Sequence, residues 1–297
     1  MAGREHLAAL GIDEAGITAE VLLRHALNVT RAQLYMAWDR PLDEGAWVRF
    51  QELLEARVRG RPVAYIVGHR EFMGLDFQVD ERVLIPRPET ETLVEAVLDA
   101  VRDVRGPTVA DIGTGSGAVA VSVAVRRRDA LVIATDLSAD ALAVARANAA
   151  AHGVTDRVRF LEGDLVSPVR AAGVACDAVA CNPPYVTPEV ASGLPREIRE
   201  FEPRLAIVSP GQGENLHARL VREAPAVLRS GGWLMMEVAA GQAGRVVELV
   251  TQSGLYEPPH VRRDGLGWER VVAARVRTSP PTEAEGELLS SHVRARR

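Results

Sequence analysis

The chain has 297 residues, 47% of them hydrophobic, and a net charge of −5. That is enough apolar material for one large domain or a large and a small one, and the acidic balance excludes a broad basic surface of the kind that gathers nucleic acid. No apolar run reaches the ~18 residues of a membrane span, the seven histidines lack zinc spacing, and two cysteines with no secretion signal point to a reducing cytoplasm.

Residues 1 to about 60 read as helices. Ala19, Val21, Leu22, Leu23, Ala26 and Leu27 form one apolar stripe, and Leu42, Trp47, Phe50, Leu53, Leu54 and Val58 form another. Residues 61 to 87 change character. Val63 to Val67, Phe72 to Phe77 and Val83 to Ile85 are short, rich in β-branched and aromatic residues, and broken by Gly68 and Gly74. They predict a β-hairpin linking two halves. Pro88 then suits the first position of a helix running to about Val104, with Glu89 and Glu91 complementing its dipole.

From Thr108 strands and helices alternate, which predicts a parallel sheet with crossover helices. Strands are expected at Thr108 to Ile112, Leu131 to Thr135, Val158 to Leu161, Ala178 to Cys181 and Trp233 to Val238. His260 to Arg263 and Arg270 to Arg275 fit a closing antiparallel pair. Ser138 is placed to cap a helix and Gly153 to end it. Residues 186 to about 212 read as a long, proline-rich loop, a length that is often functional. The polar tail, residues 277–297, is expected to be disordered.

The fourth of these strands stops at Asn182-Pro183-Pro184-Tyr185. Two prolines end a ladder, and Asn182, preceding one, is held extended. A polar amide is thus presented at the carboxyl end of a strand, where ligands sit in open α/β sheets. The Asn182 side-chain oxygen and the Pro183 carbonyl are two acceptors suited to a planar NH2 group, and the Tyr185 ring can stack on it. The same residues also read as a strand-end turn with a local Asn-to-backbone bond.

Asp111-Ile-Gly-Thr-Gly-Ser-Gly is a strand-to-helix turn with three alternating glycines, the third one residue early for a dinucleotide fingerprint. Such a turn lets a ligand lie against backbone N–H groups. Asp136, ending the next strand, is placed for ribose hydroxyls. Asp164-Leu165, after the third strand, is placed for an adenine amino group and ring face. The spacing and Asp111 favour a ligand without pyrophosphate, and S-adenosylmethionine, cationic at sulfur, suits nearby carboxylates.

Together these motifs resemble the HemK/PrmC family of S-adenosylmethionine-dependent methyltransferases. The likeness runs from about residue 5 to 276 and includes Arg61-Pro-Val-Ala-Tyr-Ile-Val-Gly, Val83-Leu-Ile-Pro-Arg-Pro-Glu-Thr-Glu and Glu202-Pro-Arg-Leu-Ala. Cys181 stands where the family often has serine, and Leu165 where some members have an aromatic residue.

The resemblance implies a seven-stranded Rossmann-like class I methyltransferase sheet (88–276) with a helical substrate-docking domain (1–60) joined by the β-hairpin (61–87). It implies methylation of the side-chain amide of the glutamine in the Gly-Gly-Gln tip of class 1 peptide chain release factors. Gly113, Thr114, Gly115, Ser116, Gly117, Asp136, Leu165 and Asn182 would bind the cofactor. Asn182, Pro183, Pro184 and Tyr185 would hold the glutamine, with Asn182, Pro183 and Tyr185 catalytic. Direct methyl transfer, with neither a metal nor a general base, is expected of a cytoplasmic monomer that binds no nucleic acid. The rival readings are methylation of an exocyclic amine of adenine or guanine, which the Asn-Pro-Pro-Tyr tetrad equally allows, and a binding module without activity, which the intact motifs argue against.

Overall fold

A computed structural model describes residues 2–37, 39–209 and 216–278. The expected tail therefore lies outside the described residues apart from its first two positions, as does the end of the 186–212 stretch.

The N-terminal part is helical, with helices Ala2–Ala9, Ala15–Leu27, Arg31–Met36 and Glu44–Val58. Leu7, Ala19, Leu22, Ala26, Phe50 and Leu54 close its core. Gly3 meets the Phe50 ring so closely that an added Cβ would sit 2.7 Å from it. Thr30 and Gln33 form a reciprocal capping box, and Asp43 caps the helix after it.

The linker differs from the sequence expectation in two places. Val63–Val67 is a short helix, not a strand. Pro62 precedes it, Gly68 closes it with φ +82°, and Tyr65 reaches out of it to give its hydroxyl to the Val83 carbonyl at 2.5 Å. This buried anchor outweighs the β preference of a five-residue run. Val83 to Ile85 is likewise no strand. Val83 and Ile85 are buried beside Tyr65, Val79, Ala141 and Val144, and the Ile85 N–H goes to the Glu202 side chain instead of a ladder. The hairpin itself is β1 (His69–Phe72) and β2 (Leu75–Gln78). Its two-residue turn, Met73-Gly74, has the paired positive φ (55° and 75°) of a type I′ turn, so the Phe72 to Phe77 run folds on itself.

After a 3-10 turn at Pro88–Thr90, the next helix is Glu91–Ala100, stopping short of Val104. The strands of the main sheet follow: β3 (Thr108–Ile112), β4 (Leu131–Asp136), β5 (Val158–Glu162), β6 (Cys176–Cys181), β7 (Leu228–Glu237), β8 (His260–Arg263) and β9 (Glu269–Arg275). Their order is β5-β4-β3-β6-β7-β9-β8. β5 through β7 run parallel, and β9 pairs antiparallel with both β7 and β8. Strand order reverses between β3 and β6, so the crossovers leave on opposite faces there and open a crevice above the strand ends. Helices Glu91–Ala100 and Ala118–Arg126 cover one face, and Leu216–Glu223 and Ala243–Ser253 the other. The stretch after Tyr185 is not structureless. It carries short helices Pro188–Ala191, Arg196–Phe201 and Arg204–Ile207, and closes on itself through a Val186–Val208 bridge.

Candidate active site

The crevice above β3 and β6 holds a cavity of about 250 Å³. Gly113, Thr114, Gly115, Ser116, Asp136, Leu165, Asn182, Pro183 and Pro184 all border it. Gly117 and Tyr185 do not. Gly117 (φ +82°) faces the helix Ala139–Ala151, where an added Cβ would sit 3.1 Å from the Ala145 Cβ. It serves helix packing. Tyr185 sits half-buried beyond Pro184; burial raises its pKa, with Glu237 adding to the effect and Arg270 and Arg87 opposing it.

The glycine turn is held from below by carboxylates. Asp111, buried in β3, accepts from the Thr114 hydroxyl at 2.6 Å and the Ala120 N–H at 3.0 Å. Burial still pushes it up to about 6. Asp136 accepts from the Gly115 N–H and the Ser138 N–H, one on each oxygen, both at 2.9 Å. A carboxylate offers about four lone-pair sites, so each oxygen keeps acceptor capacity toward the cavity. Burial raises the Asp136 pKa, and those N–H bonds oppose the rise. At Gly113 and Gly115, both with positive φ, no atom of a described residue beyond the glycine and its two chain neighbours lies within 4 Å of where a Cβ would stand. The cradle is open on its ligand side, and its conformation suits glycine.

Asp164 and Leu165 divide their work. The Asp164 carboxylate is taken by Arg219 (Nη2–Oδ2 2.5 Å). Leu165 has φ 45°, rare for a leucine, and its carbonyl accepts from the Thr135 hydroxyl at 3.1 Å. The apolar Leu165 side is therefore the surface left for a flat ring. Cys181, which ends β6, is held well above its ordinary pKa by burial, so it stays a protonated thiol.

At the other end of the cavity, Asn182 donates its amide Nδ2 to the Thr90 hydroxyl oxygen at 3.1 Å. That leaves Oδ1 as the free, accepting end. The wall opposite is fixed by Glu202, whose carboxylate takes the Arg87 guanidinium and the Ile85 N–H. This pair joins the 83–90 segment to the 186–209 excursion over the cavity.

Sequence reasoning assigned no site role to Thr90, Glu202, Glu237 or Asn148. Glu237 is 2% exposed at the end of β7, where burial pushes it up to about 7. A carboxylate closing the apolar run Leu-Met-Met was the visible signal. Asn148, fully buried, bonds both backbone groups of Gln78 and the Ser116 carbonyl, tying the hairpin to the glycine turn. Nothing local marked it.

Among the described residues no group of three His, Cys, Asp or Glu is arranged to hold a metal. No helix among them is long and apolar enough to cross a membrane.

Residues 1–68 match the model of the PrmC N-terminal domain, and residues 89–194 match that of the methyltransferase small domain. The chain is 42% identical over 274 residues to a release factor glutamine methyltransferase of Nitratidesulfovibrio vulgaris, covering 92% of each chain. It is 43% identical over 249 residues to another of Chlorobaculum tepidum, covering 82% of this chain and 84% of the relative. Among solved structures, the hMettl16 catalytic domain in complex with an MAT2A 3′UTR hairpin superposes with a TM-score of 0.56 at 16% identity, covering 78% of this chain and 84% of that one. At that identity the likeness is one of fold.

Proposed function

Because this chain belongs to the release factor glutamine methyltransferase family, we propose that the β3/β6 cavity carries methyl transfer from S-adenosylmethionine to a glutamine side-chain amide of a class 1 release factor. The open glycine cradle, the spare acceptor sites of Asp136 and the apolar face of Leu165 fit a nucleoside with a cationic sulfur. When bound, the cofactor supplies an electrophilic methyl on its sulfonium.

The chain's own residues handle the amide. Its nitrogen is a weak nucleophile because the lone pair is delocalised into the carbonyl. The Asn182 Oδ1 and the Pro183 carbonyl accept its two N–H bonds and turn the nitrogen toward the donor. Fixing a reacting pair in this way is worth several kcal/mol, up to ~7–11 in favourable systems. Acceptors in a water-poor pocket also stabilise the positive charge that grows on nitrogen. With the cofactor bound, the amide nitrogen would take the methyl as the carbon–sulfur bond breaks, its electron pair staying on sulfur, and one N–H proton would pass to solvent.

The observation that carries this reading is the Asn182 Nδ2 to Thr90 bond, which leaves the amide oxygen as the free end. The helical part, residues 1–60, docks the body of the release factor, residues 61–87 link it, and residues 88–276 are the transferase. The enzyme acts in the cytoplasm as a monomer and needs no nucleic acid, a reading that the net charge of −5 favours.

The test is mass spectrometry of a release factor incubated with the protein and S-adenosylmethionine. One methyl on the tip glutamine is expected. Methylated adenine or guanine in RNA or DNA, with the release factor untouched, would refute the reading.

A further inference from the structure

We propose that Asn148 is the positioning residue that sets the gap between the two walls of the cavity, the glycine turn on one side and the 82–90 segment on the other. The inference rests on the reading of that cavity as the cofactor site and names what holds its width.

The two walls come from distant parts of the chain. Gly115 and Ser116 border the cavity from the turn after β3, and Val83, Pro86 and Thr90 border it from the stretch that leaves β2. Among the described residues no strand pairing joins them, since β1 and β2 form a sheet of their own. Behind both lies the helix Ala139–Ala151. Its Ala145 meets Gly117, and its Ala141 and Val144 cluster with Val79, Val83 and Ile85. Contacts of that kind carry no direction.

Asn148, on the same helix and 0% exposed, supplies one. Its Nδ2 donates to the Ser116 carbonyl at 2.8 Å and to the Gln78 carbonyl at 3.0 Å, and its Oδ1 accepts from the Gln78 N–H at 2.8 Å. A carboxamide has two N–H hydrogens, so both are committed. Flipped, it would set its oxygen against two carbonyls and its NH2 against an N–H. The last residue of β2 thus gives both its backbone groups to this one side chain. On the other side, the peptide between Ser116 and Gly117 is pinned at both ends, its carbonyl by Asn148 and its N–H by the Thr114 carbonyl at 2.9 Å. The turn is held by Asp136 at the Gly115 N–H and by Asn148 one residue later.

Filling space does not call for an amide here. The other buried residues of the helix, Ala141, Leu142, Val144, Ala145 and Ala149, are apolar. A buried amide is tolerated because all three bonds are made, and each polar group left bare would weigh against it. A shift of either wall by about 1 Å would carry a bond out of hydrogen-bonding range. The two walls therefore keep one spacing. His152, one turn further along, holds the same hairpin at the Asp76 carbonyl at 2.8 Å without a printed bond to the glycine turn, which makes it the control.

The experiment uses the full chain as wild type, Asn148→Leu and His152→Ala. It measures S-adenosylmethionine Kd by calorimetry, kcat and KM on release factor, Tm, and amide exchange with and without S-adenosylmethionine. Asn148→Leu should weaken S-adenosylmethionine roughly tenfold or more, as loss of a buried polar contact does, and raise KM for the release factor. Its kcat at saturation should stay within about threefold, because Asn182 and Pro183 are untouched. His152→Ala should leave the cofactor Kd within about twofold, since it loosens the hairpin alone. Gln78 is not among the residues that line the cavity. In the wild type, S-adenosylmethionine at 100 times its Kd should nevertheless slow exchange of the Gln78 N–H, by up to about 100-fold, where its opening also undoes the site. The Gly74 N–H, held by Glu71 at the hairpin tip, should not respond. An unchanged cofactor Kd in folded Asn148→Leu, equal weakening in His152→Ala, or a Gln78 N–H indifferent to S-adenosylmethionine overturns the proposal. If Asn148→Leu does not fold, wild-type exchange decides alone. A wild type that binds no S-adenosylmethionine removes the cofactor reading beneath it.

Discussion

Replacing Glu202 by alanine tests how the roof of the cavity is held. Its carboxylate, 1% exposed, takes the Arg87 guanidinium and the Ile85 N–H, the latter at 3.3 Å. Removing one partner of a buried ion pair costs about 3–5 kcal/mol when the other is stranded. Arg87 is 31% exposed and can turn to water, so most of that charge penalty is relieved. The buried Ile85 N–H cannot follow it, and an orphaned donor costs ~1–3 kcal/mol. The expected loss is therefore about 2 kcal/mol, read as a fall in Tm of roughly 4 °C. The loss should also be local. Hydrogen exchange at Ile85 and in 186–209 should quicken, while β3 and β4 stay protected. KM for the release factor should rise more than the cofactor Kd. An unchanged exchange rate at Ile85, or equal loosening of β3, would show that Glu202 does not fasten this roof.

Asn182→Ala should reduce kcat on release factor by about 10²–10³-fold, as loss of an oriented polar contact at a reacting centre does, with cofactor Kd nearly unchanged in calorimetry. Asp136→Ala should weaken cofactor binding roughly 10–100-fold, since it removes charged acceptors from the ligand and from Gly115 together. Glu237→Gln should raise thermal stability at pH 8, with the gain shrinking toward pH 5. The native carboxyl binds its proton up to about pH 7, above its ordinary value near 4.5, so the native state holds more protons than the unfolded chain between those limits. The cost of ionising it in the buried site is present above pH 7 and fades on acidification. A wild type equally stable at both pH values, with Glu237→Gln showing no gain, would contradict that sign.

The parallel sheet was legible because its signals are local. Apolar runs of strand length, each followed by a glycine, a carboxylate or an asparagine before proline, gave β3 to within the residue, and gave β4 and β6 less one or two residues at an end. The glycine turn was legible for the same reason, since positive φ at Gly113, Gly115 and Gly117 is written in the residue type. Within the turn, however, ligand contact and packing look alike in sequence. Gly117 was grouped with the cradle, yet its missing side chain makes room for Ala145. The linker misled because four β-branched and aromatic residues in a run of five favour strand until a distant carbonyl captures Tyr65. Thr90 and Glu202 were in plain view inside the quoted motifs. What sequence could not supply was the distance, 92 residues from Thr90 to Asn182 and 115 from Arg87 to Glu202, that the fold reduces to a hydrogen bond.

A common device links these contacts. Asp111, Asp136 and Glu237 each stand at or near the carboxyl end of a strand, and each ionised carboxylate accepts without donating. Asp111 sets the direction of the Thr114 hydroxyl, and Asp136 that of the Gly115 N–H. A hydroxyl or carboxamide left to itself can bond in either sense, and a site built from them would be a mixture of orientations. An acceptor-only neighbour removes one sense. The cost is burial of charge, visible in the raised pKa of all three groups. A purely apolar layer beneath the same loops would be more stable, but it would leave the donors and acceptors above it free to turn. Asp111 and Asp136 beneath one cavity are thus best understood as fixing polarity, and cofactor Kd in Asp136→Ala is where that role becomes measurable.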